Sequence, residues 1–131
     1  MKRTPLLHAE LSEVVARLGH GDLLVIGDAG LPIPEGPRRI DLAVARDVPR
    51  FQDVLAAVLS EMQVESAVVA GELALRNPQV DARIRQLLPA VTITSVPHEE
   101  FKALTRSARA MVRTGECSPY ANVILRAGVV F

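Results

Sequence analysis

Short aliphatic runs alternate with stretches whose apolar residues repeat at helical spacing, and this alternation leaves few architectures open. Residues 22–27, centred on Leu23-Leu24-Val25-Ile26, form an apolar run of the kind found in a strand covered on both faces. Residues 64–70 and 91–96 also read as strands, rich in the Val, Ile and Thr that suit a pleated surface. Residues 40–45, 109–114 and 122–130 supply three more. Between them, Leu6, Leu7, Leu11, Val14, Val15 and Leu18 make one helical stripe over residues 5–18. A second stripe carries Phe51, Val54, Leu55, Val58, Leu59 and Met62. Asn77-Pro78 opens a third helix, through Ile84, Leu87 and Leu88, and Pro97 opens a short fourth with His98, Phe101 and Leu104. The order α-β-β-α-β-α-β-α-β-β predicts an α/β fold, a single layered domain over residues 1–131 with a mostly parallel central sheet of about six strands flanked by helices. The sheet is expected to be parallel in its centre and antiparallel at its ends. Gly19 is expected to close the first helix in a left-handed conformation, and Asp47 to cap the helix that starts near Pro49.

At 131 residues and 49% apolar content the chain can bury a substantial core, but aromatics are only 3%, so that core must be aliphatic. The 15 basic and 15 acidic residues cancel, and no basic stripe interrupts the sequence. Nucleic acid and anionic membrane are therefore excluded as partners, since both need a concentrated positive field. Near-neutrality with high apolarity favours an oligomer that hides apolar surface. Cys117 is the only cysteine, so no intrachain disulfide forms and a reducing, cytoplasmic location is expected. Met1-Lys2-Arg3 imitates the start of a signal peptide, yet His8, Glu10 and Glu13 arrive too soon for its apolar core. No apolar run approaches the ~20 residues that span a bilayer.

Two polar runs, about a hundred positions apart, hold the chemistry: Gly19-His20-Gly21-Asp22 with Gly27-Asp28-Ala29-Gly30 behind it, and Ser118-Pro119-Tyr120-Ala121-Asn122. His20, between two glycines, is an accessible imidazole able to give and take protons near neutral pH; it also reads as an ordinary loop histidine. Asp28 follows a strand and can orient an imidazole or hold a hydroxyl, or simply form a turn. His98, at a helix start beside Glu99 and Glu100, reads equally as an exposed first-turn residue, with Lys102 one turn on. Tyr120 and Asn122 flank Ala121 and offer donors and acceptors, though an aromatic plug and a turn residue explain them as well. Together these groups suit an uncharged, hydroxyl-rich ligand. The histidines show no metal-ligand spacing, and neither a dinucleotide fingerprint nor a P-loop is present, so no metal and no cofactor is expected. Cys117 reads as a small packing residue.

Taken in order, these elements resemble the D-ribose pyranase family, within the group that also contains fucose mutarotases. The resemblance rests on Gly19-His20-Gly21-Asp22, Gly27-Asp28-Ala29-Gly30-Leu31-Pro32-Ile33-Pro34, Ile40-Asp41-Leu42-Ala43, Pro97-His98-Glu99-Glu100-Phe101-Lys102 and Arg113-Thr114-Gly115-Glu116. It continues through Pro119-Tyr120-Ala121-Asn122-Val123-Ile124-Leu125 to Ala127-Gly128-Val129-Val130-Phe131, and so covers essentially the whole chain. It implies an α/β fold assembled in rings, typically a decamer of two stacked pentamers, and an isomerase that interconverts the pyranose and furanose forms of free D-ribose. It makes His20 the catalytic acid, with Asp28 supporting it or gripping a hydroxyl. By the same resemblance Asp28 and His98 are expected to bind the sugar, and the segment Tyr120, Ala121 and Asn122 to be a further binding element offered by a neighbouring subunit. Lys102 also matches. Two alternatives stay open: a mutarotase of another monosaccharide such as L-fucose, and a non-catalytic sugar-binding ring protein.

Overall fold

The aliphatic runs assemble into one six-stranded sheet in the computed structural model, which describes residues 1–131. Its strands are β1 (Leu23–Gly27), β2 (Arg38–Asp41), β3 (Val64–Ala70), β4 (Thr92–Val96), β5 (Ala110–Arg113) and β6 (Val123–Ala127), in the order β2-β5-β1-β6-β3-β4. The helices are α1 (Ala9–Arg17), α2 (Phe51–Leu59), α3 (Glu72–Arg76), α4 (Pro78–Leu87) and α5 (His98–Leu104). None is long and apolar enough to cross a membrane.

The sheet is mostly parallel, as its alternating pattern predicts: β2 with β5, β5 with β1, and β3 with β4. The antiparallel strand, however, is central rather than terminal. β6 lies between β1 and β3 and opposes both. The cause is the link from β5. Residues 114–122 are too few for the crossover of roughly a dozen or more residues that a parallel strand requires. The chain instead turns at the end of β5 and runs straight back.

Side chains alternate between the two faces of the sheet. Leu24, Ile26, Ala67, Val69, Val123 and Leu125 point into the larger core, with Leu11 and Val14 of α1, Phe51, Val54, Leu55 and Val58 of α2, Leu73 of α3 and Ile84 of α4. Val25, Met111 and Ile124 face the other way, against Phe101 of α5 and Leu31. Each fully buried aliphatic or Phe side chain contributes about 1.5–3 kcal/mol of transfer free energy, so aliphatic residues suffice without a cluster of aromatics.

Local expectations fail at two places. α1 ends at Arg17 with Leu18 as an extended cap, and the left-handed residue is Gly21, at φ 86°, not Gly19. There the Gly21 amide turns to donate to the Ala127 carbonyl at 2.9 Å. Asp47 does not cap α2, whose N-cap, Arg50, makes no side-chain capping bond. Asp47 sits at φ 59° and ties two loops together, its Oδ1 accepting from the Cys117 amide at 3.1 Å.

Candidate active site

Because β6 runs antiparallel beside β1, with Val123 opposite Ile26, the residue before β6 meets the residue after β1. Asn122 is buried, and its Oδ1 accepts from the Asp28 amide at 2.8 Å while its Nδ2 donates to Asp28 Oδ2 at 3.0 Å. Asp28 Oδ1 accepts from the Gly30 amide at 2.9 Å. A half-buried carboxylate is thus held by a donor on each oxygen, with further lone pairs open to a hydroxyl. Gly27 leaves room for both neighbours: a Cβ would lie 2.7 Å from Leu31 Cδ2 and 2.9 Å from Asn122 Oδ1, so any larger residue would have to displace them.

The neighbouring strand end clamps the same loop. Thr114 Oγ1 donates to the Gly27 carbonyl at 2.8 Å, Arg113 Nε donates to the Ala29 carbonyl at 2.9 Å, and the Ala29 amide donates to the Glu116 carbonyl at 2.8 Å. Tyr120 adopts a left-handed φ of 56°, which is uncommon for a bulky residue and needs support from its surroundings. That support comes partly from Asn77, whose Nδ2 donates to Ser118 Oγ at 2.9 Å and to the Pro119 carbonyl at 2.8 Å. The fully buried Ala121 packs into the large core and leaves its two polar neighbours on either side.

β4 runs parallel to β3, and α5 begins directly after it, so His98 reaches the same end of the sheet. Its amide donates to both carboxylate oxygens of Glu72, at 3.0 and 3.2 Å. Its ring stacks over Phe101, centroids 6.2 Å apart, and meets Tyr120 edge-on at 5.0 Å. Nδ1 is buried without a hydrogen-bond partner. Lys102, one turn along α5, pairs with Glu99 at 2.7 Å and borders a cleft of about 320 Å³ beside Pro32 and Pro34.

Asp28, His98, Tyr120, Ala121 and Asn122 therefore converge in a single protomer, and His20 does not join them. His20 precedes β1 and Asp28 follows it, with about 13 Å of extended strand between Leu23 and Gly27. The expectation that Asp28 supports His20 directly fails within the protomer, because the two lie at opposite ends of one strand. The carboxylate beside His20 is Glu65, whose Oε2 lies 2.8 Å from Nε2. Within one chain Asn122 pairs with Asp28, so residues 120–122 and Asp28 belong to the same wall, and a neighbouring copy would bear on the site through His20 rather than through Asp28. His20 stands apart on a well-fixed loop. Asp22 Oδ2 accepts from the Gly19 amide at 2.8 Å, and Asp22 Oδ1 pairs with Arg109 at 2.9 Å. The first of these bonds, and then Arg109, hold the Asp22 carboxyl below its ordinary pKa.

The cleft of about 330 Å³ nearest the cluster is lined by Asn77, Glu116 and Ser118 rather than by Asp28, His98, Tyr120 and Asn122. The cluster forms a polar wall at this end of the sheet. Residues whose part the sequence reading missed are Glu72, Asn77 and Glu65. Asn77 was legible only as a helix start, and Glu72 and Glu65 carried no local signal.

The chain matches the model of the RbsD / FucU transport protein family over residues 1–130. It is 64% identical over 131 residues to a D-ribose pyranase of Paracidovorax citrulli, with 100% of both chains covered. Its fold superposes on the structure of Bacillus subtilis RbsD complexed with D-ribose at a TM-score of 0.96, with 44% identity and 100% of both chains covered. A fucose mutarotase from Streptococcus pneumoniae, in complex with L-fucose, gives a TM-score of 0.87 and 27% identity, again over 100% of both chains.

Proposed function

The chain belongs to the RbsD / FucU transport protein family, and on that premise we propose that it is a D-ribose pyranase, interconverting the pyranose and furanose forms of free D-ribose. The observation that carries this conclusion is the full-length identity to a D-ribose pyranase. The greater likeness to the ribose-bound than to the fucose-bound structure agrees with it.

The chemistry is hemiacetal opening and reclosure. A proton reaches the ring oxygen, the anomeric hydroxyl loses one, and the open aldehyde closes through a different hydroxyl. Positioned acid–base groups typically contribute ~100- to 10,000-fold to such steps. His20 is the proton donor to the ring oxygen. Asp28 accepts from a sugar hydroxyl, supported by its fixed carboxylate. Tyr120 and Asn122 bracket the sugar, with the Asn122 side chain spent chiefly on Asp28. At His98 the buried, unpartnered nitrogen is Nδ1. An unpaired lone pair is tolerated better than an unpaired N–H, so Nε2 carries the hydrogen and donates to a hydroxyl. An ordered water is then the acceptor of the anomeric proton.

Because His20 and the polar wall lie at opposite ends of the sheet, a complete site needs two copies of the chain. His20 of one protomer closes over Asp28, His98, Tyr120 and Asn122 of the next. Head-to-tail contacts give rings when the rotation between copies closes, and the family resemblance favours a decamer of two stacked pentamers. The enzyme works in the cytoplasm, in keeping with its single free thiol, Cys117.

Exchange spectroscopy on equilibrated sugar tests the function. Catalytic amounts of protein are expected to accelerate pyranose–furanose exchange of D-ribose, and His20→Ala to abolish that acceleration. Acceleration of L-fucose exchange alone, or ribose binding without acceleration, would refute it.

A further inference from the structure

At the end of the sheet opposite the polar wall, β3 carries an irregularity in its pairing with β6. Val64 pairs with Ala127 and Ser66 with Arg126, so Glu65 is the extra residue of a β-bulge. A bulge bends its strand and re-aims the side chain at the break. Here it brings Glu65 Oε2 to 2.8 Å from His20 Nε2, and Oε1 to 2.8 Å from Arg126 Nε. The His20 loop is registered against the same strands, the Gly21 amide donating to the Ala127 carbonyl and the Ala127 amide to the Asp22 carbonyl, each at 2.9 Å. Hydrogen bonding from His20, then the nearby charges of His20 and Arg126, lower the pKa of the Glu65 carboxyl. Exposed ion pairs add little to stability, so stability alone is a small return for bending a strand at this point.

We propose that Glu65 is a positioning residue of the reaction: presented by the bulge and braced by Arg126, it fixes the orientation and tautomer of the His20 imidazole. This rests on His20 being the proton donor. Glu65 accepts from Nε2–H throughout and stays ionised. Nδ1 is thereby the nitrogen offered to the sugar. Protonated His20 gives its Nδ1 proton to the ring oxygen of the pyranose, which becomes the C5 hydroxyl. As the C4 oxygen closes on the aldehyde carbon, its hydroxyl proton passes back to Nδ1. The carbonyl oxygen recovers the proton first taken from the anomeric hydroxyl, so no proton is gained or lost. The arrangement follows the general rule that a catalytic imidazole is oriented by a group on its other nitrogen.

The test combines ribose exchange rates with nitrogen NMR of the imidazoles in the assembled protein, where only three histidines, His8, His20 and His98, have to be told apart. In the wild type the neutral His20 signal is expected to report the Nε2–H tautomer. Glu65→Ala should give a tautomer mixture and an exchange rate at saturating ribose lower by about 10- to 100-fold, taking the scale from metal-ligating histidines that lose the partner on their other nitrogen. Ribose affinity should not change. Glu65→Gln, which preserves size and can either donate or accept, should also mix the tautomers with a smaller loss of rate. Full rate and an unmixed tautomer in both Glu65 variants, while His20→Ala is inactive, would overturn the proposal and leave His20 as donor intact. An active His20→Ala would instead overturn the donor assignment.

Discussion

Asn122→Ala is the most informative single change at the polar wall, because it removes two contacts to Asp28 at once. The Asp28 amide loses its 2.8 Å acceptor and Asp28 Oδ2 its 3.0 Å donor. A buried amide left unpaired costs about 1–3 kcal/mol, and a hydrogen bond to a charged group is worth about 1.5–3 kcal/mol. Asp28 is half-buried, so water recovers part of the second loss. The expected destabilisation is about 2–4 kcal/mol in total. At the usual unfolding entropy per residue, each kcal/mol lowers Tm by about 4 °C in a chain this size, which predicts a fall of about 7–15 °C. Thermal unfolding should be compared at equal protomer concentration, since assembly contributes to apparent stability. Titration with ribose should show weakened binding, because Asp28 is no longer held. A Tm within about 2 °C of the wild type, less than ~1 kcal/mol for a chain this size, would refute the claim that Asn122 is the brace of Asp28.

Gly27→Ala should lower stability by about 1–3 kcal/mol through overpacking and weaken ribose binding as well, since the new methyl presses on both Leu31 and Asn122; wild-type values in urea titration and calorimetry would contradict this. Acid should destabilise the fold. Asp22, Asp41, Glu61, Glu65 and Glu99 all have pKa values lowered in the folded state, Asp22 chiefly by the Gly19 amide and Asp41 chiefly by the Ala43 amide. Groups lowered on folding contribute stability above their unfolded pKa and lose it as pH falls through the folded one. The urea midpoint should therefore drop below pH ~4, and Asp22→Asn should flatten that drop; a midpoint independent of pH between 5 and 3 would contradict it.

The layered architecture was legible because aliphatic runs and helical stripes each carry their own period. The place of β6 was less so. Its sequence reads as a buried strand in either direction, and only the shortness of residues 114–122 speaks for the antiparallel return. Asp28, His98 and Tyr120 stood out by residue type and by position at element ends. Their convergence was not legible, since the Asp28–Asn122 bond joins residues 94 apart and depends on β6 lying beside β1. The separation of His20 from Asp28 follows from the intervening strand, yet Gly19-His20-Gly21-Asp22 and Gly27-Asp28-Ala29-Gly30 are near enough in sequence to be read as one site. Glu65 was hidden because a bulge is a register effect between strands and leaves no mark on the periodicity of Val64-Glu65-Ser66-Ala67.

The central claim is that an imidazole from one protomer opens a sugar held by the polar wall of another, and mixed assemblies test it most directly. His20→Ala and Tyr120→Ala proteins, each inactive alone, are dissociated, mixed in equal amounts and reassembled, with mixed rings verified by mass. Random assembly in a ring of head-to-tail contacts makes about a quarter of the sites whole, so ribose exchange should recover to about that share of the wild-type rate. No recovery in verified mixed rings would contradict the shared site.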